Sequence, residues 1–153
     1  MIKRIFDLFF SISGVIILMP IFLIVSILIK LDSNGPVLFL QNRVGQYANI
    51  FQIIKFRTMN INQNSNLTIS IAGDKRITRI GKILRKYKID ELPELINIIR
   101  GEMSFVGPRP DVAGYADKLL GDDRKILQLR PGITSSASLK YSNEEHLLSI
   151  QKN

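Results

Sequence analysis

Apolar residues dominate the first thirty positions. From Leu8 to Ile29 the chain runs 22 residues without a charged side chain. As a straight helix that run reaches roughly 33 Å, the thickness of a bilayer core. It is too long for a signal peptide and lacks a small-residue cleavage site, although the Met-Ile-Lys-Arg start would suit one. A chain of 153 residues could hardly bury a helix that is apolar all round. Pro20 sits mid-run, where it removes a backbone donor and kinks a helix. Lys3 and Arg4 precede the run, and Lys30 and Arg43 follow it, which places both flanks on the cytoplasmic side. A re-entrant helix that enters, breaks at Pro20 and returns satisfies both observations. A spanning helix with a tolerated proline is the alternative. Asp7, at the membrane edge, is expected to pair with Lys3, Arg4 or a cation of the globular part.

Beyond the anchor, assigned to residues 1–33, the pattern changes. Asn34-Gly35-Pro36 is turn chemistry. Residues 37–40 and 50–54 read as short strands of a β-hairpin, separated by a polar segment containing Gly45. Asn60 to Asn66 is polar and reads as an exposed loop. From Asp74 to Lys88 apolar residues recur at helical spacing among seven cations, predicting an amphipathic basic helix that faces a membrane surface or phosphate. A second helix is predicted from an Asp90 N-cap, with Pro93 in its first turn and Arg100-Gly101 at its end. Residues 103–110 and 130–134 read as rigid loops, and 111–128 as a third helix. The fold class predicted is therefore α+β, mostly helical. A re-entrant membrane helix joins a small cytoplasmic domain over 34–153, with a short hairpin and amphipathic interface helices.

Composition narrows the chemistry. Lys plus Arg number 21 against 13 Asp plus Glu, a formal charge of +8, which favours anionic partners. The cations sit among Gly/Pro loops without the interleaved aromatics of single-strand binders, so no nucleic acid is expected. A hydrophobic fraction of 46% argues against disorder. With no cysteine and a single histidine, His146, thiolate and His-rich metal sites are excluded. Carboxylates, hydroxyls and cations remain.

The adjacent pair Asp90-Glu91 stands out, with Arg85 upstream and Arg109 in a Gly-Pro loop downstream. Acidic residues at a helix start often serve only as caps. Among convergent cations, however, a carboxylate is expected to stay ionised. Such an Asp suits nucleophilic attack at phosphorus, and its neighbour suits Mg²⁺, which takes one or two carboxylates besides water and phosphate oxygens. Phosphoryl transfer depends chiefly on positioning and on charge compensation of this kind.

Taken in order, the motifs are specific. They comprise Lys3-Arg4-Ile5-Phe6-Asp7, the proline-broken apolar segment, Gly35-Pro36-Val37-Leu38-Phe39 with Gln41-Asn42-Arg43-Val44-Gly45, and Lys55-Phe56-Arg57-Thr58-Met59. Arg76 to Gly81, Leu84-Arg85, Asp90-Glu91-Leu92-Pro93, Gly101 to Pro110, and Arg130-Pro131-Gly132-Ile133-Thr134 complete them. From Ile2 to about Thr134 the chain resembles the monotopic bacterial phosphoglycosyl transferases, or bacterial sugar transferase family. The resemblance implies transfer of a sugar-1-phosphate from a UDP-sugar to a polyprenol phosphate, giving a polyprenyl-diphosphate-sugar and UMP. This would take place at the cytoplasmic face of the bacterial inner membrane, in contact with membrane lipid. It implies that Asp90 is the nucleophile, that Glu91 is the Mg²⁺ ligand, and that Arg85 and Arg109 face phosphate. Lys55, Arg57 and Arg130 carry over as further substrate-binding residues. Two departures stand against the pattern. Met19 replaces the serine often found before the breaking proline, and the chain reads as short at its C-terminus. The shortness raises a second expectation, a non-catalytic homologue that binds membrane or a partner protein.

Overall fold

The computed structural model describes residues 2–60, 74 and 76–135. The expected loop at 61–66 and His146 lie outside these. The class is α+β, with helix outweighing strand: a long apolar helix, a β-hairpin, two short helices and a small parallel strand pair.

Helix α1 covers Ile2–Asp32. It passes through Pro20 without the interruption expected there. The proline forfeits one turn hydrogen bond, and the turns on either side carry the helix on. Its sides differ sharply. Val15, Leu18, Phe22, Val25 and Ile29, spaced three or four apart, form one stripe packed on the globular part. On the other sides Ile5, Phe9, Ile16, Leu23 and Ile27 stay exposed. Among the described residues α1 is the one helix long and apolar enough to cross a membrane.

Polar groups near both ends of α1 tie it to the same globular unit. The Arg4 guanidinium donates to the carbonyls of Ile98 (2.6 Å) and Ile99 (2.9 Å), and Lys3 Nζ to that of Val106 (2.8 Å). At the far end Asp32 Oδ2 accepts from Ile80 N–H at 2.9 Å. Among the described residues Asp7 pairs with no cation. It is buried, accepting from the Ser104 hydroxyl (2.8 Å) and, at 3.3 Å, from the Phe105 N–H, because α1 presses that turn against residues 104–105.

The hairpin consists of β1 (Leu38–Val44) and β2 (Ile50–Phe56), antiparallel and pairing Phe39 with Lys55. Helix α2 (Arg79–Lys86) is shorter than the 74–88 stretch expected. Thr78 caps it by accepting from Gly81 N–H at 2.9 Å, while Asp74 upstream is bound to Arg76. Helix α3 (Glu94–Arg100) begins after Pro93, and Gly101 ends it in the left-handed region at φ 86°. Asp90 is not its N-cap and lies in a preceding 3₁₀ turn, Ile89–Glu91.

Two further expectations are corrected. The segments read as rigid loops contain parallel strands, β3 (Ser104–Val106) and β4 (Gly132–Thr134). Residues 111–128 form no continuous helix. They hold 3₁₀ turns at Ala116–Lys118 and Gly121–Gln128, and Gly114 and Gly121 take positive φ between and beside them.

The main core joins Phe51 and Ile53 of β2 to Leu95 and Ile98 of α3 and to Met103. A second cluster joins Phe56 and Leu84 to Val25 and Ile29 of α1. Each fully buried side chain of this size contributes about 1.5–3 kcal/mol.

Candidate active site

The site is built on the turn between α2 and α3. Two residues beyond α2, Lys88 takes the left-handed conformation (φ 57°), uncommon for a side-chain-bearing residue. It turns the chain so that Asp90, Glu91 and Glu94 face β2. Asn97, one turn further along α3, fixes that face. Its Oδ1 accepts from Ile54 N–H (3.0 Å), and its Nδ2 donates to Gln52 C=O (2.7 Å) and to Glu102 Oε2 (2.7 Å). The side-chain amide thus pairs with the β2 edge as a neighbouring strand would.

Lys55 on β2 reaches across. Its Nζ lies 2.7 Å from Glu91 Oε1 and 3.2 Å from Glu94 Oε1, bridging two largely buried carboxylates. A small cleft here is lined by Arg43, Ile53, Lys55, Glu91, Glu94, Arg109, Pro110, Gly132 and Ile133. The Arg109 loop is held against it by close backbone contact. A Cβ on Gly107 would strike the Arg130 carbonyl, and one on Gly132 would strike Gly107 N. Gly107 N–H donates to Thr134 C=O at 3.0 Å, and Gly132 N–H to Pro108 C=O at 2.9 Å. From β1, Arg43 Nη1 donates to Pro110 C=O at 3.2 Å.

The three carboxylates differ in their electrostatics. Burial pushes Asp90 above the ordinary carboxylate range and Glu91 adds to this, while Lys55, Arg85 and Lys88 pull it back. Desolvation is the largest of these influences on Asp90. Its Oδ1 is shielded from solvent and has no hydrogen-bond partner among the described residues. Burial would also raise Glu91, but the charge and hydrogen bond of Lys55, with Lys88 and Arg109, hold it below its usual value. Glu94 is pushed up to about 7, mainly by burial and further by Glu91, with Lys55 and Arg109 opposing.

Of the residues read from sequence, Asp90, Glu91, Lys55, Arg85 and Arg109 come together. Arg57 does not join them. It is buried, donating to the carbonyls of Asn34 (2.6 Å) and Ser33 (2.7 Å) and to the Ser33 hydroxyl (2.9 Å), so it closes the turn after α1. At the other loop it is Gly132 and Ile133 that line the cleft, and Arg130 is not among its lining residues. Sequence reading missed Glu94, although its place three residues after Glu91 is the spacing that brings helical neighbours together. Arg43 was noticed only as a flanking cation and motif residue.

A divalent cation of the Mg²⁺ kind takes carboxylate oxygens. Glu91 offers a hard oxygen donor beside the unpartnered Asp90 Oδ1. No group of three or more metal-binding side chains occurs among the described residues. A cation bound here would be held by one or two carboxylates, with water and phosphate oxygens completing its shell.

Comparisons with known proteins place the chain in a family. The exopolysaccharide production protein PSS of Rhizobium leguminosarum bv. phaseoli is 41% identical over 147 residues, which cover 91% of this chain and 74% of the relative. The UDP-N-acetylgalactosamine-undecaprenyl-phosphate N-acetylgalactosaminephosphotransferase of Aeromonas hydrophila is 41% identical over 92% of this chain and 34% of its own length. The UDP-glucose:undecaprenyl-phosphate glucose-1-phosphate transferase of Caulobacter vibrioides is 39% identical over 90% of this chain and 53% of its own. The chain thus spans between about a third and three quarters of these relatives. The bacterial sugar transferase family matches over residues 1–152, and the chain belongs to that family.

Proposed function

We propose that this protein is a membrane-bound phosphoglycosyl transferase. It moves a sugar-1-phosphate from a UDP-sugar to a polyprenol phosphate, giving polyprenyl-diphosphate-sugar and UMP in bacterial surface-glycan assembly. The observation that carries this reading is the buried, unpartnered carboxylate of Asp90 beside Lys55, Arg85 and Lys88, in a member of this family.

In the first step an Asp90 carboxylate oxygen attacks the phosphorus bonded to the sugar. The bond from that phosphorus to the oxygen bridging it to the uridine-bearing phosphate breaks, and UMP leaves. The product on the protein is an aspartyl-phosphosugar. In the second step a phosphate oxygen of the polyprenol phosphate attacks the same phosphorus, and Asp90 departs as a carboxylate. Desolvation makes the Asp90 oxygen a stronger nucleophile, and the nearby cations oppose the upward push of burial. Arg109, Lys55 and Arg85 offset the charge developing on the transferring group. Bound at Glu91, Mg²⁺ would add further charge compensation at the phosphate oxygens.

The apolar sides of α1 contact lipid, and its end contacts fit a monotopic arrangement. A helix crossing the bilayer perpendicularly would separate its ends by the membrane thickness, whereas both ends here are tied to one globular unit. That unit would sit at the cytoplasmic face of the inner membrane, where a soluble nucleotide sugar meets a lipid phosphate. The test is UMP release and label transfer from UDP-sugar to polyprenol phosphate. Asp90→Asn should abolish both, and undiminished UMP release by that variant rejects the nucleophile. Mass spectrometry of the wild type quenched with donor alone should find a sugar-phosphate adduct on the peptide carrying Asp90.

A further inference from the structure

Lys55 is held by two carboxylates, and one of them is the oxygen donor assigned to a metal ion. Its Nζ lies 2.7 Å from Glu91 Oε1, a strong charge-assisted contact, and 3.2 Å from Glu94 Oε1. A divalent cation binds a carboxylate oxygen at about 2.0–2.1 Å. An ammonium and a divalent cation cannot share that oxygen without close repulsion between like charges. A metal ion that takes this Oε1, rather than the second oxygen of Glu91, therefore displaces Lys55. A displaced ammonium inside a largely buried site needs another anion within reach, since an unpaired buried charge is costly.

Glu94 is placed to be that anion. It is 3% exposed, stands three residues from Glu91 on the face turned toward β2, and already makes the longer of the two contacts with Lys55. Asn97, buried one turn later on α3, fixes its helix against the strand that bears Lys55. We propose that Lys55 and the metal ion exclude each other at Glu91, and that Glu94 is the positioning residue that receives the displaced ammonium. This rests on the assignment of Glu91 to the metal. The entry of the cation then moves Lys55 off one carboxylate and onto its neighbour. A small shift of one side chain exchanges an internal ion pair for a metal–carboxylate bond, and the site keeps the same set of anions. Glu94 need not touch metal or substrate to do this.

Mn²⁺ binding to the full detergent-solubilised chain, followed by the electron paramagnetic resonance signal of free Mn²⁺, tests the proposal without turnover. Glu94→Gln keeps the shape and removes the charge, so Lys55 stays on Glu91. Mn²⁺ affinity should fall about tenfold, the scale of one charge-assisted contact. Lys55→Met removes the competitor and should bind Mn²⁺ more tightly than the wild type. In the double variant the Glu94 substitution should change affinity by less than about twofold, because there is no ammonium left to receive. An unchanged affinity in Glu94→Gln overturns the proposal. So does an equally large loss in the Lys55→Met background, which would make Glu94 a direct ligand. Weaker binding by Lys55→Met alone overturns it as well, and that variant needs no change to α3. Absence of Mn²⁺ binding by the wild type removes the metal from Glu91 and this proposal with it. Asp90 as nucleophile would then still stand or fall by the adduct mass.

Discussion

Replacing Asn97 tests the strut beneath the site. This side chain is fully buried and makes three hydrogen bonds, two to the β2 backbone and one to the Glu102 carboxylate. Asn97→Ala leaves the Ile54 N–H and the Gln52 C=O without that partner. Neutral bonds are worth about 1 kcal/mol each and a bond to a charged group about 1.5–3, so the loss is about 3–5 kcal/mol. Glu102 is half-buried and recovers some hydration, which places the value nearer 3. For a chain of this size that corresponds to a fall in Tm of roughly 10 °C. Thermal unfolding of the detergent-solubilised protein, followed by circular dichroism, measures it. Asn97→Asp keeps the acceptor for Ile54 but turns an oxygen toward Gln52 C=O and Glu102, so it should be no better tolerated than Ala. A drop under about 3 °C for both variants would refute the claim that this amide holds α3 to the strand bearing Lys55.

Other expectations follow from the same contacts. Glu94 titrates near 7 in the folded protein against 4.5 ordinarily, a difference of roughly 3 kcal/mol. Between those values the unfolded chain has released a proton that the folded chain retains, so stability should decline as pH rises from about 4.5 to 7 and level off above. Comparing Tm against pH for wild type and Glu94→Gln should show that slope lost in the variant; parallel curves contradict it. Gly132→Ala puts a methyl group into the Gly107 backbone and should separate β4 from the Arg109 loop, costing about 2 kcal/mol or more by overpacking. Its signature is a raised KM for the nucleotide sugar together with a lower Tm, and a wild-type KM would argue against the contact. Arg57→Ala should lower Tm, while Arg57→Lys restores only part of it, because one ammonium cannot reproduce the paired contacts to residues 33 and 34. Equal Tm values for Arg57→Lys and wild type would show the fork to be dispensable.

Much of this organisation was legible in the chain. The apolar run announced α1, two short apolar runs around a polar Gly45 segment announced the hairpin, and left-handed Gly101 closed α3 where Arg100-Gly101 suggested. Local signals sufficed there because the cause is local. Elsewhere the cause lies far along the chain. The strands at 104–106 and 132–134 exist because they pair with each other across 28 residues, and three-residue strands carry too little pattern to be seen alone. Glycines at 114 and 121 broke a stretch whose composition suited a helix. Asp90 and Glu91 were found by adjacency and by motif. Glu94 was hidden among the helix-forming residues after Pro93, and only the fold reveals that Lys55 stands over it. Arg57 entered as a substrate-binding residue only through the motif that carries the resemblance, and the carbonyls that occupy it are not visible in sequence.

The placement of Arg4 and Asp32 has a practical corollary. Arg4 satisfies the last carbonyls of α3 and Asp32 a first N–H of α2, so the greasy helix braces, from opposite ends, the two helices that bracket Asp90. Grafting this catalytic unit onto a generic hydrophobic leash would keep it at the bilayer yet leave those helices loose. Attachment and competence are therefore inherited as one part, and a soluble version of such a protein would need replacement groups at both helix ends before any redesign of its greasy surface.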